Sequence, residues 1–353
     1  MKILIISPTQ SGIGGVAQHV QGLKEFLENK GNYVEIISSE NTFTIPIKGL
    51  KNPSFMISSF IKSKFTKKFD IVHAHNIPAA FAMKNIKGKK ILTQHGIYSQ
   101  QIGLLHGKTT GNLTSNLERN ALKWADAINV ISKEAYEYYT KLGFKTIQIP
   151  NAINLKNLPQ DEDRRFEKQI IFVGRLSKEK GIETIIEISK KLPNDINLLI
   201  VGSGPESEKI KKLSETLDNI HYLGYQTHEN SIKLIRGSDI LIQPSLHEGI
   251  STTILEAMAC KIPIIASNVG GNPELLIHEK TGILIKPNDS KALLTLIDRL
   301  FSDQLLKQKI IQESFILVQN YDWQKIGQQY LDLYNSLLKI RFLFIHIVFN
   351  HQL

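Results

Sequence analysis

The feature that most constrains this chain is an alternation repeated from one end to the other. A short run of β-branched and aliphatic residues leads into a turn closed by glycine or proline, and a stretch with helical spacing follows. "KILIIS" at residues 2–7 has a buried-strand pattern and runs into a glycine loop. In "VAQHVQGLKEFLENKG" Val16, Val20, Leu23 and Leu27 then recur at helical spacing and stop at Gly31. "YVEIIS" is the next strand. This β-loop-α-β unit is of the doubly wound type, and further strands are expected at 70–75, 89–96, 126–132 and 146–151.

The segment "LKNLPQDEDRRFEK", 155–168, is charged, carries a proline and lacks periodicity, so a linker is expected there. After it the alternation restarts with "IIFVGRL", "INLLIVGSGP", "NIHYLG", "DILIQPS", "IPIIAS" and "GILIKP". The expected architecture is α/β, two Rossmann-like domains facing each other across a cleft, with ligands at the carboxyl ends of the strands. The expected boundaries are 1–154 for the first domain and 169–318 for the second. A crossover helix over 319–338 packs back on the first domain, with Trp323, Ile326, Tyr330, Leu333 and Leu337 on one stripe, and 339–353 is a hydrophobic tail.

A length of 353 residues suits two domains, and 42% hydrophobic with 8% aromatic residues suits packed cores. Cys260 is the only cysteine, so no intramolecular disulfide can form and a reducing cytosol fits. The apolar run in "MKILIISPTQ" is too short for a signal peptide, and no window approaches the ~20 apolar residues of a membrane span. The expected location is cytoplasmic, with a peripheral position on the inner face of the membrane as its extension.

The net charge of +10 is placed unevenly. Residues 1–150 hold 18 Lys and 1 Arg against 9 acidic residues, whereas the rest balances at 24 against 24. A basic half beside a neutral half suggests that one domain meets an anionic surface. In "NPSFMISSFIKSKFTKKFD" the phenylalanines and Ile61 alternate with Lys62, Lys64, Lys67 and Lys68. That is the pattern of a basic amphipathic helix resting on anionic lipid, and equally of an ordinary helix packed on the sheet with solvated lysines. The charge tilts the expectation towards the lipid surface. No aromatic-basic ribbon or nucleic-acid module accompanies the pI of 9.3, so nucleic acid is not an expected partner.

Several motifs stand where strands end. "SGIGGVAQ" places Gly12, Gly14 and Gly15 before a helix N-terminus, where backbone N–H groups can receive a phosphate; a turn needed only for tight geometry is the alternative. The spacing is not the dinucleotide G-x-G-x-x-G, which disfavours an oxidoreductase. "FVGRLSKEKG" sets Arg175 and Lys180 between a strand and a helix that starts near Gly181, a site for a diphosphate or a solvated charged turn. In "SLHEGISTTILEAMA" a helix is expected to begin at Ser251–Thr253. Glu248 then lies in the loop, and the N–H groups of Gly249, Ile250, Ser251, Thr252 and Thr253 are open to phosphate oxygens. Glu256 lies one turn inside, where Thr253-x-x-Glu256 also matches a capping box. His73 and His75 in "HAH" look like a metal pair, but with side chains expected on opposite faces of the strand they read as structural.

The order of "GIGG", "FVGRLSKEKG", "VGSGP", "PSLHEG" with a second Glu eight residues on, and "ASNVGGNPELL" resembles glycosyltransferase family 4, retaining enzymes of the GT-B fold. The resemblance runs from Met1 to about Leu338. It implies that Arg175 and Lys180 bind a donor diphosphate, that Glu248 touches sugar hydroxyls, and that Glu256 binds the ribose. Gly202 and Gly204 then lie on the nucleotide side, the base lies near Tyr225, and His95 of "LTQHGIY" reaches the reaction centre. The chain departs from the family at Ala17-Gln18-His19, where an acidic-basic pair is common, and at "PNAIN", where Ala152 and Asn154 replace glycine and aspartate.

The expected activity is transfer of a sugar, with retention, from a UDP- or GDP-linked donor to an acceptor hydroxyl on a saccharide or lipid-linked acceptor. A role in cell-surface polysaccharide or glycolipid synthesis follows. No D-x-D stands at a strand end and "DED" at 161–163 lies in the linker, so no metal or other cofactor is expected. A sugar nucleotide epimerase of similar fold, or a non-catalytic sugar-nucleotide-binding protein, would use a similar donor site.

Overall fold

The computed structural model describes residues 1–350 except 12, 13, 46, 48 and 49; side chains at 104–106, 108–110, 112, 113 and 340–350 are also outside the description. The chain forms two compact units. One comprises Met1–Ser11, Val16–Pro150 and Trp323–Leu353, the other Gly12–Gly15 and Asn151–Asp322.

In the first unit the strands are β1 (Lys2–Ser7), β2 (Tyr33–Ser38), β3 (Ile71–His75), β4 (Lys89–Gln94), β5 (Ala127–Val130) and β6 (Thr146–Gln148). They alternate with helices α1 (Gly15–Asn29), α2 (Lys51–Ser63), α3 (Asn76–Asn85), α4 (Tyr98–His106), α5 (Lys108–Leu122) and α6 (Lys133–Lys141). The sheet order is β2-β1-β3-β4-β5-β6, with every pair parallel. Such a sheet is covered on both faces, which is why β3 and β5 are buried along their whole length and read as unbroken apolar runs. The order reverses between β1 and β3, and their carboxyl ends are where a ligand crevice opens in this topology.

The second unit has β7 (Lys168–Val173), β8 (Ile196–Val201), β9 (Ile220–Gly224), β10 (Ile240–Gln243), β11 (Ile264–Ser267) and β12 (Ile283–Ile285). Its helices are α7 (Ile182–Ser189), α8 (Ser207–Ser214), α9 (His228–Arg236), α10 (Thr252–Ala259), α11 (Asn272–Leu275), α12 (Ser290–Ser302) and α13 (Gln304–Val318). The order β12-β11-β10-β7-β8-β9 is again all parallel, with its reversal between β7 and β10. Ile170, Phe172, Leu198, Ile200, Ile240 and Ile242 meet α7 and α12 in a single aliphatic core.

The segment expected as a linker is part of this second unit. Asp163 N–H donates to Lys233 O at 2.9 Å, Arg164 pairs with Asp239 at 2.9 Å, and a Cβ at Gly237 would stand 2.4 Å from Asp163 O. Two of its charges are matched there, Arg164 by Asp239 before β10 and Asp161 by Lys233 of α9, and Arg165 pairs with Asp163 within the segment.

The last helix, α14 (Trp323–Asn350), belongs to the first unit. It starts four residues later than the expected crossover helix, because Gln319–Tyr321 forms a 3-10 turn. Trp323, Ile326, Tyr330, Leu333 and Leu337 are buried as their stripe requires, and Tyr334 joins them. The side chains of the expected tail from 340 on lie outside the described residues, as do residues 351–353. Among the described residues no helix is long and apolar enough to cross a membrane.

Two glycines let α1 and α14 approach. A Cβ on Gly22 would fall 2.0 Å from Trp323 Nε1, and one on Gly327 would fall 2.5 Å from Phe26 Cγ. Overpacking of this kind typically costs ~1–3 kcal/mol. Gly327→Ala and Gly22→Ala are each expected to lower the unfolding free energy by about that amount in denaturant titration; unchanged midpoints would contradict this account of the contact.

Candidate functional site

The carboxyl ends of β7 and β10 meet at the switch point of the second unit, and two backbone approaches set what happens there. Gly181 adopts φ +71°, and a Cβ there would lie 1.9 Å from Pro244 O. Only glycine permits both, so the turn Lys178–Lys180 is held against the strand exit Gln243–Ser245. Leu246 N–H completes the contact by donating to Glu179 O at 2.8 Å.

That approach delivers Lys180 to Glu248. The carboxylate is 7% exposed, and its Oε1 accepts from Lys180 Nζ at 2.6 Å, Gln243 Nε2 at 2.6 Å and Ser245 Oγ at 2.7 Å. Burial alone pushes the Glu248 carboxyl up. The Lys180 charge and the hydrogen bonds from Lys180, Ser245 and Gln243 outweigh it and hold the group below its ordinary 4.5. All three bonds end on Oε1, so Oε2 is the oxygen left to a ligand. Arg175 is exposed at the same strand exit and makes no ion pair among the described residues.

Helix α10 begins at Thr252 with Ser251 as its cap, accepting from Ile254 N–H, and Gln243 ties Ser251 to Glu248. The capping box anticipated at Thr253 and Glu256 is therefore not formed. The cap sits two residues earlier, and Glu256 points elsewhere. Asn151 Nδ2 donates to Ile250 O at 2.7 Å and fixes the loop. The Gly270-Gly271 turn lies beneath it: a Cβ on Gly270, at φ +54°, would fall 1.9 Å from Glu248 O, and Gly271 N–H donates to Gly249 O at 3.1 Å. A phosphate-sized space is not the reason for these two glycines; they seat the Glu248 loop.

Glu256 is 6% exposed, and its Oε1 is 2.8 Å from His228 Nε2 at the start of α9. That hydrogen bond raises the His228 pKa above its ordinary value, with burial opposing. Sequence reasoning missed His228, since nothing in the spacing links positions 228 and 256; its one local signal was the Thr227 cap that starts α9 just past β9. Nearby in sequence, Tyr225 is 59% exposed just after β9. A Cβ on Gly202 would meet Gly174 O at 1.9 Å and one on Gly204 would meet Leu176 O at 2.3 Å, so both glycines pack the β8 exit against the β7 exit. Gly14 has open space at its Cβ direction, and a Cβ on Gly15 would fall 3.7 Å from Thr252 Oγ1; Gly12 lies outside the described residues.

The first unit holds His95 in a different setting. It is 8% exposed, its Nε2 is 3.0 Å from His75 Nδ1, and its backbone N–H donates to Asn76 Oδ1. His73 and His75 share one face, ring centroids 4.3 Å apart, because residues two apart in a strand point the same way; the expectation of opposite faces was wrong. His73 bridges Tyr334 Oη and Thr93 Oγ1, each at 2.7 Å, and burial followed by the nearby His95 pushes its pKa down to about 3. Burial holds His75 well below its ordinary value too. His19, His75 and His95 present ring nitrogens within 4.8 Å of one another, near enough to share a metal ion. No carboxylate or thiolate joins them among the described residues to offset a buried cation.

The lysines expected on one amphipathic helix are split by its end. Lys62 lies in α2 and donates to Asn41 O at 2.9 Å, Lys64 is the C-cap, and Lys67 and Lys68 follow the helix, exposed.

Comparison with known proteins places this arrangement. The family model described as Glycosyltransferase Family 4 matches residues 13–157, and that described as Glycosyl transferases group 1 matches residues 156–315. An uncharacterised glycosyltransferase of Haemophilus influenzae is 30% identical over 71% of either chain. One from Methanocaldococcus jannaschii is 26% identical over 93% of this chain and 96% of its own. The phosphatidyl-myo-inositol mannosyltransferase of Mycobacterium leprae is 24% identical over 95% of this chain and 97% of its own. Among solved structures, sucrose-phosphate synthase from Thermosynechococcus elongatus superposes with a TM-score of 0.81 at 23% identity, covering 96% of this chain and all of its own. HepE of Anabaena, solved with UDP-glucose, gives 0.72 at 20% identity, covering 95% and 100%.

Removing Lys180 leaves a buried carboxylate without its cation, at a cost of about 3–5 kcal/mol. Lys180→Met is expected to lose that much in urea titration at pH 7, and adding Glu248→Gln is expected to restore much of it. Because the folded Glu248 pKa is depressed, its contribution is full above about 4.5 and is lost as pH falls through the lower folded value. A Lys180→Met protein as stable as the parent at pH 7 would contradict the pairing.

Proposed function

The chain belongs to glycosyltransferase family 4, enzymes of the GT-B fold, and from that premise we propose that it transfers a sugar, with retention, from a UDP- or GDP-linked donor to an acceptor hydroxyl. The observation that carries this reading is the pair of half-buried Lys180 with buried Glu248, 2.6 Å across, at the switch point of the second sheet. A ligand bearing hydroxyls on one side of a diphosphate meets complementary groups there: Glu248 Oε2 for the sugar, Arg175 and Lys180 for the phosphates. The N–H groups of Gly249, Ile250, Ser251 and Thr252 receive the remaining oxygens.

The donor bond that breaks joins the anomeric carbon to a diphosphate oxygen. Positive charge grows on the sugar and negative charge on the leaving oxygens. Lys180 has N–H groups beyond the one engaged with Glu248, Arg175 makes no ion pair among the described residues, and the α10 N-terminus adds its dipole, so the leaving charge is met by fixed donors. These groups do the work a metal would do, and we propose that the reaction is metal-independent. On the front-face route the acceptor oxygen bonds to the anomeric carbon on the side the diphosphate leaves, and the acceptor proton passes to the departing phosphate oxygen.

At the nucleotide end, Glu256 Oε2 is offered to the ribose diol while His228 holds Oε1, and Tyr225 is placed to meet the base. His95, within the imidazole cluster of the first unit, is assigned to the sugar side by the family resemblance. The acceptor is proposed to be a lipid-linked saccharide, supported by the basic first unit and by the phosphatidyl-myo-inositol in the name of the mycobacterial relative. The same features support a peripheral position on the cytoplasmic face of a membrane.

Glu248→Gln is expected to cut turnover on the order of 100-fold while the protein stays folded, with the anomeric configuration of the donor kept in the parent's product by NMR. Full activity in the variant would sink the role of Glu248, and an inverted linkage would sink retention. His228→Ala is expected to weaken nucleotide binding about tenfold in calorimetry, with His228→Gln recovering part of it. The loss should shrink with a 2′,3′-dideoxy nucleotide, and an equal loss with both ligands would assign His228 a merely structural role.

A further inference from the structure

Two consecutive residues of the first unit hold His95 from different sides. Strands β3 and β4 run parallel with His75 level with Thr93, so the chain leaving β4 passes beside the end of β3. Asn76, at φ +62°, turns its Oδ1 to accept the backbone N–H of His95 at 3.1 Å. His75 sets its Nδ1 3.0 Å from His95 Nε2, and both rings are buried. Glu118 fixes the residues that follow. Its buried carboxylate accepts the N–H of Tyr98 at 3.0 Å and that of Ser99 at 3.3 Å, and the Tyr139 hydroxyl donates to it. The stretch from His95 to Ser99 is thereby anchored at its ring, at its backbone and at the first turn of α4.

A hydrogen bond between two neutral imidazoles has a direction, because one nitrogen must donate and the other accept. His73, two residues back in β3, has partners at both nitrogens, Tyr334 Oη and Thr93 Oγ1. His75 has a partner at one. Its Nε2 is buried and meets no hydrogen-bond partner among the described residues. A buried N–H left without an acceptor is rarer in folded proteins than an acceptor left short of a donor, so the proton of His75 belongs on Nδ1, where His95 receives it. Burial also keeps His75 neutral, so there is no second proton for Nε2. It follows that His95 carries its lone pair on Nε2 and its own proton on Nδ1.

We propose that His75 is a positioning residue for sugar transfer, holding His95 in the Nδ1–H tautomer so that His95 meets the sugar as a hydrogen-bond donor and not as a general base. The proposal deepens the reading of His95 at the sugar side and rests on it. A carboxylate beside a catalytic histidine accepts that ring's proton and leaves the far nitrogen bare, as a base. A histidine that donates does the reverse. The acceptor proton is then left to the departing phosphate oxygen, which is where the front-face route sends it.

Long-range proton–nitrogen NMR spectra of the intact protein, labelled at histidine, read the tautomer directly, with the His95 signals assigned by their loss in His95→Ala. A protonated Nδ1 and a bare Nε2 on His95 are expected; a proton on Nε2 would overturn the proposal. That measurement on the parent protein depends neither on how a variant folds nor on activity. Kinetics test the consequence. His75→Phe keeps a ring against His73 and removes the donor, and is expected to lower kcat about tenfold with the donor KM nearly unchanged. His75→Asn, whose amide N–H stands near the place of Nδ1, is expected to recover most of that loss. In a His95→Ala background, His75→Phe is expected to change kcat less than about twofold, because the residue it acts through is gone. The same loss in both backgrounds, or an Asn variant as slow as the Phe one, would assign His75 a merely structural role and overturn the proposal. A His95→Ala enzyme as fast as the parent would overturn the reading of His95 on which the proposal rests, and a protein that consumes no nucleotide sugar would overturn the function. An Nδ1 proton on His95 would stand in either case.

Discussion

Burying the carboxylate of Glu248 is the constraint around which the loops of the second unit are arranged. Taking such a charge out of water costs several kcal/mol, so it persists only where donors converge on it. Three do, on one oxygen, and each depends on an element placed for the purpose. Lys180 arrives because Gly181 can touch Pro244, Gln243 because it is the last residue of β10, and Ser245 because the chain turns there. From below, Gly270 and Gly271 leave room for the backbone of Glu248 and Gly249. The result is a carboxylate with one oxygen committed to the protein and one available, beside a cation with hydrogen-bond capacity to spare. That is the combination a charged, hydroxylated ligand requires.

The first unit treats charge in the opposite way. Its interior gathers His19, His73, His75 and His95 against Trp323, Tyr330 and Tyr334, and burial keeps His73 and His75 neutral at physiological pH. The lysines are held at the periphery, densest around α2, where no acidic residue interrupts them over nearly thirty positions. The unit thus combines a neutral interior with a cationic periphery.

The strands were legible because parallel sheets need unbroken apolar runs, here bounded by glycine and proline, whereas the strand order and the switch points come from the structure. Glu248, Arg175 and Lys180 were singled out because they follow such runs, and the structure sets them after β10 and β7, with Lys180 paired to Glu248. What was misread depends on tertiary partners. Glu256 fits a capping box by spacing, yet the helix caps on Ser251 because Gln243 holds that side chain. The charged 155–168 segment looks like a tether until Lys233, Gly237 and Asp239 are seen to receive it. His228 gives no signal beyond the Thr227 cap beside it, since its contact with Glu256 spans 28 positions. The histidines of "HAH" were misplaced by an error of period rather than by missing information, for residues i and i+2 of a strand share a face.

The central claim is that the switch point of the second unit binds a nucleoside diphosphate sugar through Lys180, Arg175 and the carboxylates Glu248 and Glu256. Thermal unfolding of the intact protein with UDP- and GDP-linked sugars, each at about 100 times its dissociation constant, tests it most directly. The account predicts a gain of about 2.7 kcal/mol with at least one of them, much reduced in an Arg175→Ala variant. Absence of stabilisation by any nucleotide sugar, or equal stabilisation of the variant, would contradict it.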